Sequence, residues 1–241
     1  MTEPPSFRDL LCREVHPDLP ADEALRQLAL ANTYDNLVGD LGPTHNAVLW
    51  PNRRGQRDRF AALCHIFGLD RWKGGVSIND LGCGYGALFA YLRWRPVLRG
   101  GSYRGFDLSG RMIDTARRRH TDRRASFARA DMADRVADYS LASGTFGIKA
   151  GANGPGDSDQ VWAEHVRTTV TRLADFSEKG LAFNLLHERA RDKRDHTLYY
   201  SPAEPWLEFA RDTLSPKAQT IDSGSPFDFT VLIPLGKHRR R

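Results

Sequence analysis

Hydrophobic and polar positions along the chain change rhythm near residue 58. Over 22–31, apolar residues recur at helical spacing (Ala24, Leu25, Leu28, Ala29), with Asp22 placed as a cap. The stretch 34–55 carries Gly39, Gly42, Pro43 and Pro51 and predicts turns. Over 57–67 the pattern predicts a helix with Phe60, Leu63, Cys64 and Phe67 on one face, ended by Gly68. Short apolar runs then alternate with helical stretches. Strands are predicted over 76–81, 102–108, 125–130, 139–143, 180–186, 217–222 and 227–235, and helices over 87–94, 110–120, 158–178 and 203–214. Strands separated by helices form a parallel sheet covered on both faces. Only Ser223-Gly224-Ser225-Pro226 divides the last two strands, which suits an antiparallel hairpin. The expected fold is therefore α/β: a doubly wound, mostly parallel seven-stranded sheet with an antiparallel C-terminal hairpin strand. The expected division is an N-terminal helical and loop cap over 1–58 and the sheet domain over 59–241. Ligands of such sheets sit at the carboxyl ends of the strands, near the point where strand order reverses.

Composition narrows the class. Of 241 residues, 40% are hydrophobic and 27% charged, enough apolar surface for a packed core and too little charge for general disorder. No apolar run approaches the roughly 18 residues of a membrane span, and Met1-Thr2-Glu3-Pro4-Pro5 does not read as the start of a signal peptide. The three cysteines, Cys12, Cys64 and Cys83, form no Cys-x-x-Cys pair. That predicts free thiols in a reducing cytoplasm and speaks against a cysteine-built zinc site; no metal site is expected. Net charge is +5. The dense basic clusters, Arg117-Arg118-Arg119 with Arg123-Arg124 and Lys237-His238-Arg239-Arg240-Arg241, read first as a solvated helix face and a tail. They leave a nucleic-acid partner possible without favouring it.

The chemistry centres on Asn79-Asp80-Leu81-Gly82-Cys83-Gly84-Tyr85-Gly86, between a predicted strand and a predicted helix. Glycines there permit a sharp turn and close approach of a ligand, and a helix amino end adds unpaired N–H groups. Gly82-x-Gly84-x-x-Ala87 fits a dinucleotide fingerprint. Asp80 just before the loop suits a cationic amino acid group and would repel a pyrophosphate. Asp107, at the end of the second strand, has a carboxylate that can accept from a ribose diol of either cofactor.

Read as Asp80-Leu81-Gly82-x-Gly84-x-Gly86, the loop resembles the first motif of the class I S-adenosylmethionine-dependent methyltransferases, and the likeness extends over about 57–235. The resemblance implies S-adenosylmethionine as cofactor. It places Asp80, Gly82, Cys83, Gly84 and Gly86 along it, Asp107 on the ribose with Leu108 and Met112 nearby, and Asp131-Met132 beside the adenine. Ser143-Gly144-Thr145-Phe146 would lie beneath the methyl group. It also suggests that Arg59, helped by Gln56, holds the cofactor carboxylate. An NAD-binding protein remains the alternative on the glycine loop alone.

A sulfonium methyl group is already activated, so such an enzyme mainly aligns reactants and excludes water. A base helps only where the nucleophile holds a proton at neutral pH. His187, after the fifth strand, and His45, in the segment expected to fold over the site, are the catalytic candidates. Glu188, Tyr199 and Tyr200 stand beside them. The Asp/Asn-Pro-Pro-aromatic motif of base amino-methylating enzymes is absent after the fourth strand. The expected acceptor is a small molecule methylated on O or N, with RNA or protein as the alternative and no membrane partner.

Overall fold

The computed structural model describes residues 21–50, 52–150, 158–193, 197–224 and 227–236. Cys12, Pro51 and the basic cluster 237–241 lie outside them. Five parallel strands carry the molecule: β1 (Ser77–Leu81), β2 (Ser102–Asp107), β3 (Ala125–Arg129), β4 (Ala137–Ala142) and β5 (Ser177–His187). A two-residue β6 (Tyr200–Ser201) pairs with the end of β5. Strands β7 (Gln219–Asp222) and β8 (Asp228–Pro234) form an antiparallel hairpin, and β8 runs antiparallel against β5. The order across the sheet is β3-β2-β1-β4-β5-β8-β7, so the chain reverses its direction of travel between β1 and β4. The doubly wound sheet with an antiparallel closing strand is the expected one, widened to eight strands by β6.

Seven helices complete the described fold: α1 (Ala21–Leu41), α2 (Arg53–Leu63), α3 (Asp70–Lys73), α4 (Ala87–Leu92), α5 (Gly110–Arg119), α6 (Asp159–Asp175) and α7 (Glu204–Phe209). On one face, Phe60 and Leu63 of α2, Phe89 and Leu92 of α4 and Ile113 of α5 pack on Ile78, Tyr103 and Leu141. On the other, Trp162, Val166, Val170 and Leu173 of α6 and Trp206 of α7 pack on Phe106, Phe183 and Val231. Trp162 and Trp206 are fully buried; truncating either to alanine removes about 3–5 kcal/mol of stability.

The N-terminal segment departs from expectation. The helix expected over 22–31 runs on to Leu41, through the first part of the stretch expected to be turns, and Asp22 lies inside it rather than capping it. Tertiary contacts override the glycine: Val38 is buried with Tyr85 and Met112, and Gly39 lets the Arg111 guanidinium lie against the helix. Helix α2 begins four residues earlier than expected because the Asn52 side chain accepts from the Gly55 N–H at 2.7 Å. It therefore runs unbroken across the expected boundary between 58 and 59. At the other end, the helix expected over 203–214 divides into α7 and a wide turn over Ala210–Leu214. Among the described residues, no helix is long and apolar enough to cross a membrane.

Candidate active site

A cleft of about 940 Å³ opens at the carboxyl ends of β1 to β4, where strand order reverses. Its floor is made by Leu81 at the end of β1 with Gly82 and Gly84 after it, Asp107 and Leu108 at β2, Ala130, Asp131 and Met132 after β3, and Ser143 to Phe146 after β4. A smaller chamber of about 310 Å³ adjoins it under α2 and is lined by Gln56, Asp80, Cys83 and Tyr85. Val48, Trp50, Gly82, Gly84 and Ser143 line both.

Asp107 hangs from the backbone: the Gly84 N–H donates to its Oδ2 at 2.8 Å and the Ser109 N–H to its Oδ1 at 2.9 Å. Each oxygen keeps a lone pair for the cleft. Burial pushes this carboxyl up to about 6, against the pull of those backbone donors. Asp80, 1% exposed, accepts from the Tyr103 hydroxyl through Oδ2, while its Oδ1 is buried without a partner. Burial, and then the charge of Asp107, push it up to about 7 although the Tyr103 hydrogen bond works the other way. An unmatched carboxylate oxygen of this kind calls for a cationic or hydrogen-bonding ligand. The Ser143 hydroxyl, at the same chamber, is also buried and unpartnered.

The glycine loop is shaped by what packs on it. Gly82 sits at φ +72°, and a Cβ there would meet Thr145 Oγ1 at 2.5 Å. That threonine is fixed by donating to the Leu81 carbonyl at 2.7 Å. Gly86 precedes α4 and does not line either chamber; Met112, fully buried, packs beneath the loop rather than facing the cleft. Cys83 lines the smaller chamber with its thiol buried, which raises its pKa well above the usual range.

Two helices form the roof. Glu23, Gln27, Leu30 and Tyr34 of α1 face the cleft, as do Trp162, His165, Thr169 and Arg172 of α6. Asp35 ties α1 down by accepting from the Ser109 hydroxyl and from the Arg111 N–H at 3.1 Å. At the far end of the cleft the two helices meet in a polar ring. Gln27 donates to Glu23 at 3.2 Å and to Asp131 at 3.4 Å, and His165 Nδ1 lies 3.4 Å from Glu23. Arg172 approaches Asp131 at 3.9 Å. Although burial opposes it, hydrogen bonds and charge from His165, Gln27 and Arg26 hold the Glu23 carboxyl down at about 2.

Of the residues expected from sequence, Gln56, Asp80, Gly82, Cys83, Gly84, Asp107, Leu108, Asp131, Met132 and Ser143 come together around these chambers. Arg59 does not line them. It is buried in an ion pair with Asp228, with its guanidinium 3.9 Å over the Trp50 ring, which commits its charge to the fold. His187 and His45 are also placed elsewhere. His187 Nδ1 accepts from the Arg189 N–H at 3.1 Å and its ring packs edge-on against Phe229. His45 donates through Nδ1 to the Trp50 carbonyl at 2.9 Å, closing the turn that carries Trp50 into the cleft. Tyr199 is buried against Trp206. Sequence reasoning missed the α1 and α6 faces. Their signal was present as helical spacing: positions 23, 27, 30 and 34, and 162, 165, 169 and 172, each mix polar and aromatic residues along one stripe.

A parallel sheet that reverses between β1 and β4, a glycine turn at the reversal and a closing antiparallel strand together define a Rossmann-like methyltransferase. A family model described as a methyltransferase domain matches residues 78–150, from β1 to beyond β4. The Mycobacterium tuberculosis protein named "Putative methyltransferase Rv1506c" is 35% identical over 160 residues, covering 65% of this chain and 92% of that protein. Among solved structures, magnesium protoporphyrin IX methyltransferase from Synechocystis PCC 6803, with bound S-adenosylmethionine, has a TM-score of 0.60 at 11% identity, over 88% of this chain and 97% of that one. The plantazolicin methyltransferase BpumL, in complex with a pentazolic desmethylPZN analog and S-adenosylhomocysteine, has a TM-score of 0.57 at 13% identity, over 88% of this chain and 98% of that one. At those identities the two structures speak for the fold. The chain belongs to the class I S-adenosylmethionine-dependent methyltransferases. Its cofactor is S-adenosylmethionine, which displaces the dinucleotide alternative left open by Ala87.

Proposed function

We propose that this enzyme transfers the methyl group to an O or N nucleophile of a small molecule enclosed beneath α1. The carrying observation is the roof. Helix α1 and the turn bearing Trp50 lie over the carboxyl ends of the strands, so an acceptor reaches the cleft as a small molecule rather than as part of a broad folded surface. Leu30, Val48, Trp50, Phe146 and Trp162 give the cleft an apolar, aromatic lining, as small-molecule sites have. The two solved structures named above, a magnesium protoporphyrin IX methyltransferase and a plantazolicin methyltransferase holding a desmethylPZN analog, are compatible with an acceptor of this kind.

In this reading Asp107 accepts from the ribose diol through the lone pairs left by the Gly84 and Ser109 donors. Asp80 Oδ1 and the Ser143 hydroxyl meet the amino acid moiety in the smaller chamber. Leu108 and Met132 pack on the purine, and Asp131 takes its amino group. The cofactor supplies a methyl group activated on a sulfonium. The chain aligns it with the nucleophile and keeps water out, with Trp50 and Phe146 as walls. Residues 21–58 serve as the cap that completes the cleft.

The basic-cluster alternative is weakened by local bonding. Arg117 donates to the Phe127 carbonyl, and Arg124 pairs with Asp122 and donates to the Leu98 and Arg93 carbonyls. The test is methyl transfer from labelled S-adenosylmethionine into a cell extract divided by ultrafiltration. Label in a filtrate product that separates from S-adenosylmethionine by chromatography and forms only with the active enzyme supports the proposal. Label confined to the RNA or protein held back overturns it, and salt-sensitive RNA binding would identify the RNA case.

A further inference from the structure

The polar ring around Glu23 and Asp131 contains one group that nothing among the described residues satisfies. Gln27 is 6% exposed and lines the cleft. Its amide nitrogen faces two carboxylates, those of Glu23 and Asp131, at 3.2 and 3.4 Å. Two anionic acceptors fix which way the amide turns, because its oxygen cannot face them. The remaining atom, Oε1, is buried with no hydrogen-bond partner. Leaving a buried acceptor unmatched destabilises the empty site, and a ligand donor recovers that loss. Besides this ring and Asp107, the same cleft is lined by the apolar side chains of Leu108, Met132, Phe146 and Trp162. One cleft that combines a diol acceptor, apolar walls and a cluster of fixed polar groups matches a nucleoside whose base presents N–H donors.

We propose that Gln27 is a specificity-determining residue for the cofactor base: its Oε1 accepts one N–H of the adenine exocyclic amine, while Asp131 accepts the other. This rests on assigning the cleft to the cofactor. Helix α1 is then part of the cofactor site, not only a wall for the acceptor. Glu23 and His165 act as positioning residues, since the Glu23 carboxylate holds the Gln27 amide and His165 braces the carboxylate. A base with a carbonyl in place of the amine would set its oxygen against Gln27 Oε1 and the Asp131 carboxylate, and be rejected.

The test is calorimetric titration with S-adenosylhomocysteine and with its hypoxanthine counterpart, in which the amine is a carbonyl. Wild-type protein should prefer the adenine ligand by about a hundredfold. Gln27→Met, near in shape but without the acceptor, should weaken the adenine ligand about tenfold and, with the opposed oxygen gone, bind the hypoxanthine ligand as well as wild type or a few fold better, narrowing the preference. Gln27→Leu should do the same, and the melting curve of each empty variant shows whether it is folded. An unchanged preference in a folded variant overturns the proposal. So does a variant that binds both ligands as wild type does but needs more acceptor, because the ring would then belong to the acceptor. Failure of the underlying assignment looks different: Asp107→Asn would also leave the adenine ligand's affinity intact.

Discussion

The chamber around Asp80 and the polar ring around Gln27 are both buried and polar, yet they are assembled differently. The first is built around one contiguous turn, Asp80 to Tyr85, at the junction of β1 and α4, and is completed by the Trp50 turn, α2 and Ser143. Backbone N–H groups and glycines set its shape, and its unmatched atom is a carboxylate oxygen. The second is built from side chains on α1, α6 and the loop after β3, spread from Glu23 to Arg172. Its shape depends on two helices staying docked, and its unmatched atom is a neutral amide oxygen. Damage to the turn should act on local backbone geometry. Damage to the ring should act through the seating of α1.

The largest effect should come from Gly82→Ala. The new Cβ combines a left-handed φ with overlap on a fixed Thr145, and affinity for S-adenosylhomocysteine should fall by about a hundredfold or more in calorimetry. Adding Thr145→Ala removes the two closest overlaps but not the backbone strain, so it should recover part of the loss. Full recovery would show that backbone conformation is not what shapes the turn.

An intermediate effect is expected from pH and from Asp80→Asn. The Asp80 carboxyl is raised from an ordinary value near 3.8 to about 7 in the empty fold. The folded state therefore favours the protonated form, and the wild-type protein loses stability as pH rises from about 4 to about 7. Asp80→Asn should remove that loss, gaining about 1–3 kcal/mol in urea unfolding at pH 7.5 and little at pH 4. The same substitution should weaken the cofactor product about tenfold, because the unmatched carboxylate oxygen is gone. Wild-type affinity should rise with pH across the same window. A flat stability profile would mean that Asp80 is already satisfied.

The smallest effect should come from Asp35→Ala. It removes the acceptor for the Ser109 hydroxyl and the Arg111 N–H, so α1 loses one tether of about 1 kcal/mol. Hydrogen exchange should quicken over 21–41 and cofactor-product affinity should fall only a few fold. Faster exchange with no loss of affinity would separate α1 from the cofactor.

How legible each region was follows from the same difference. Strand and helix alternation beyond Val76 was readable because the central strands are buried apolar runs bounded by turn residues, and the order of elements left few ways to pair them. The glycine turn, Asp107 and Asp131-Met132 were readable because each lies at the end of a strand. Helix α1 beyond Ala31 was not, since Tyr34 to Leu41 is held helical by α5 and the glycine loop, contacts far away in sequence. The ring was not readable either. Glu23, Gln27, His165 and Arg172 are ordinary solvated-face residues until two helices bring them together. Arg59 and the two histidines were misplaced for a related reason: residue type suggested chemistry, while Asp228, Trp50 and Arg189 had already engaged them.

The central claim is that the cleft at the ends of β1 to β4 holds the cofactor with Asp107 on the ribose. Calorimetric titration of S-adenosylhomocysteine into wild-type protein and Asp107→Asn at pH 8 tests it directly. The account predicts one-to-one binding to the wild type, weakened by about ten- to a hundredfold in the variant as charge-assisted hydrogen bonds to the diol are lost. Equal affinity for both proteins, with the variant folded, would contradict it.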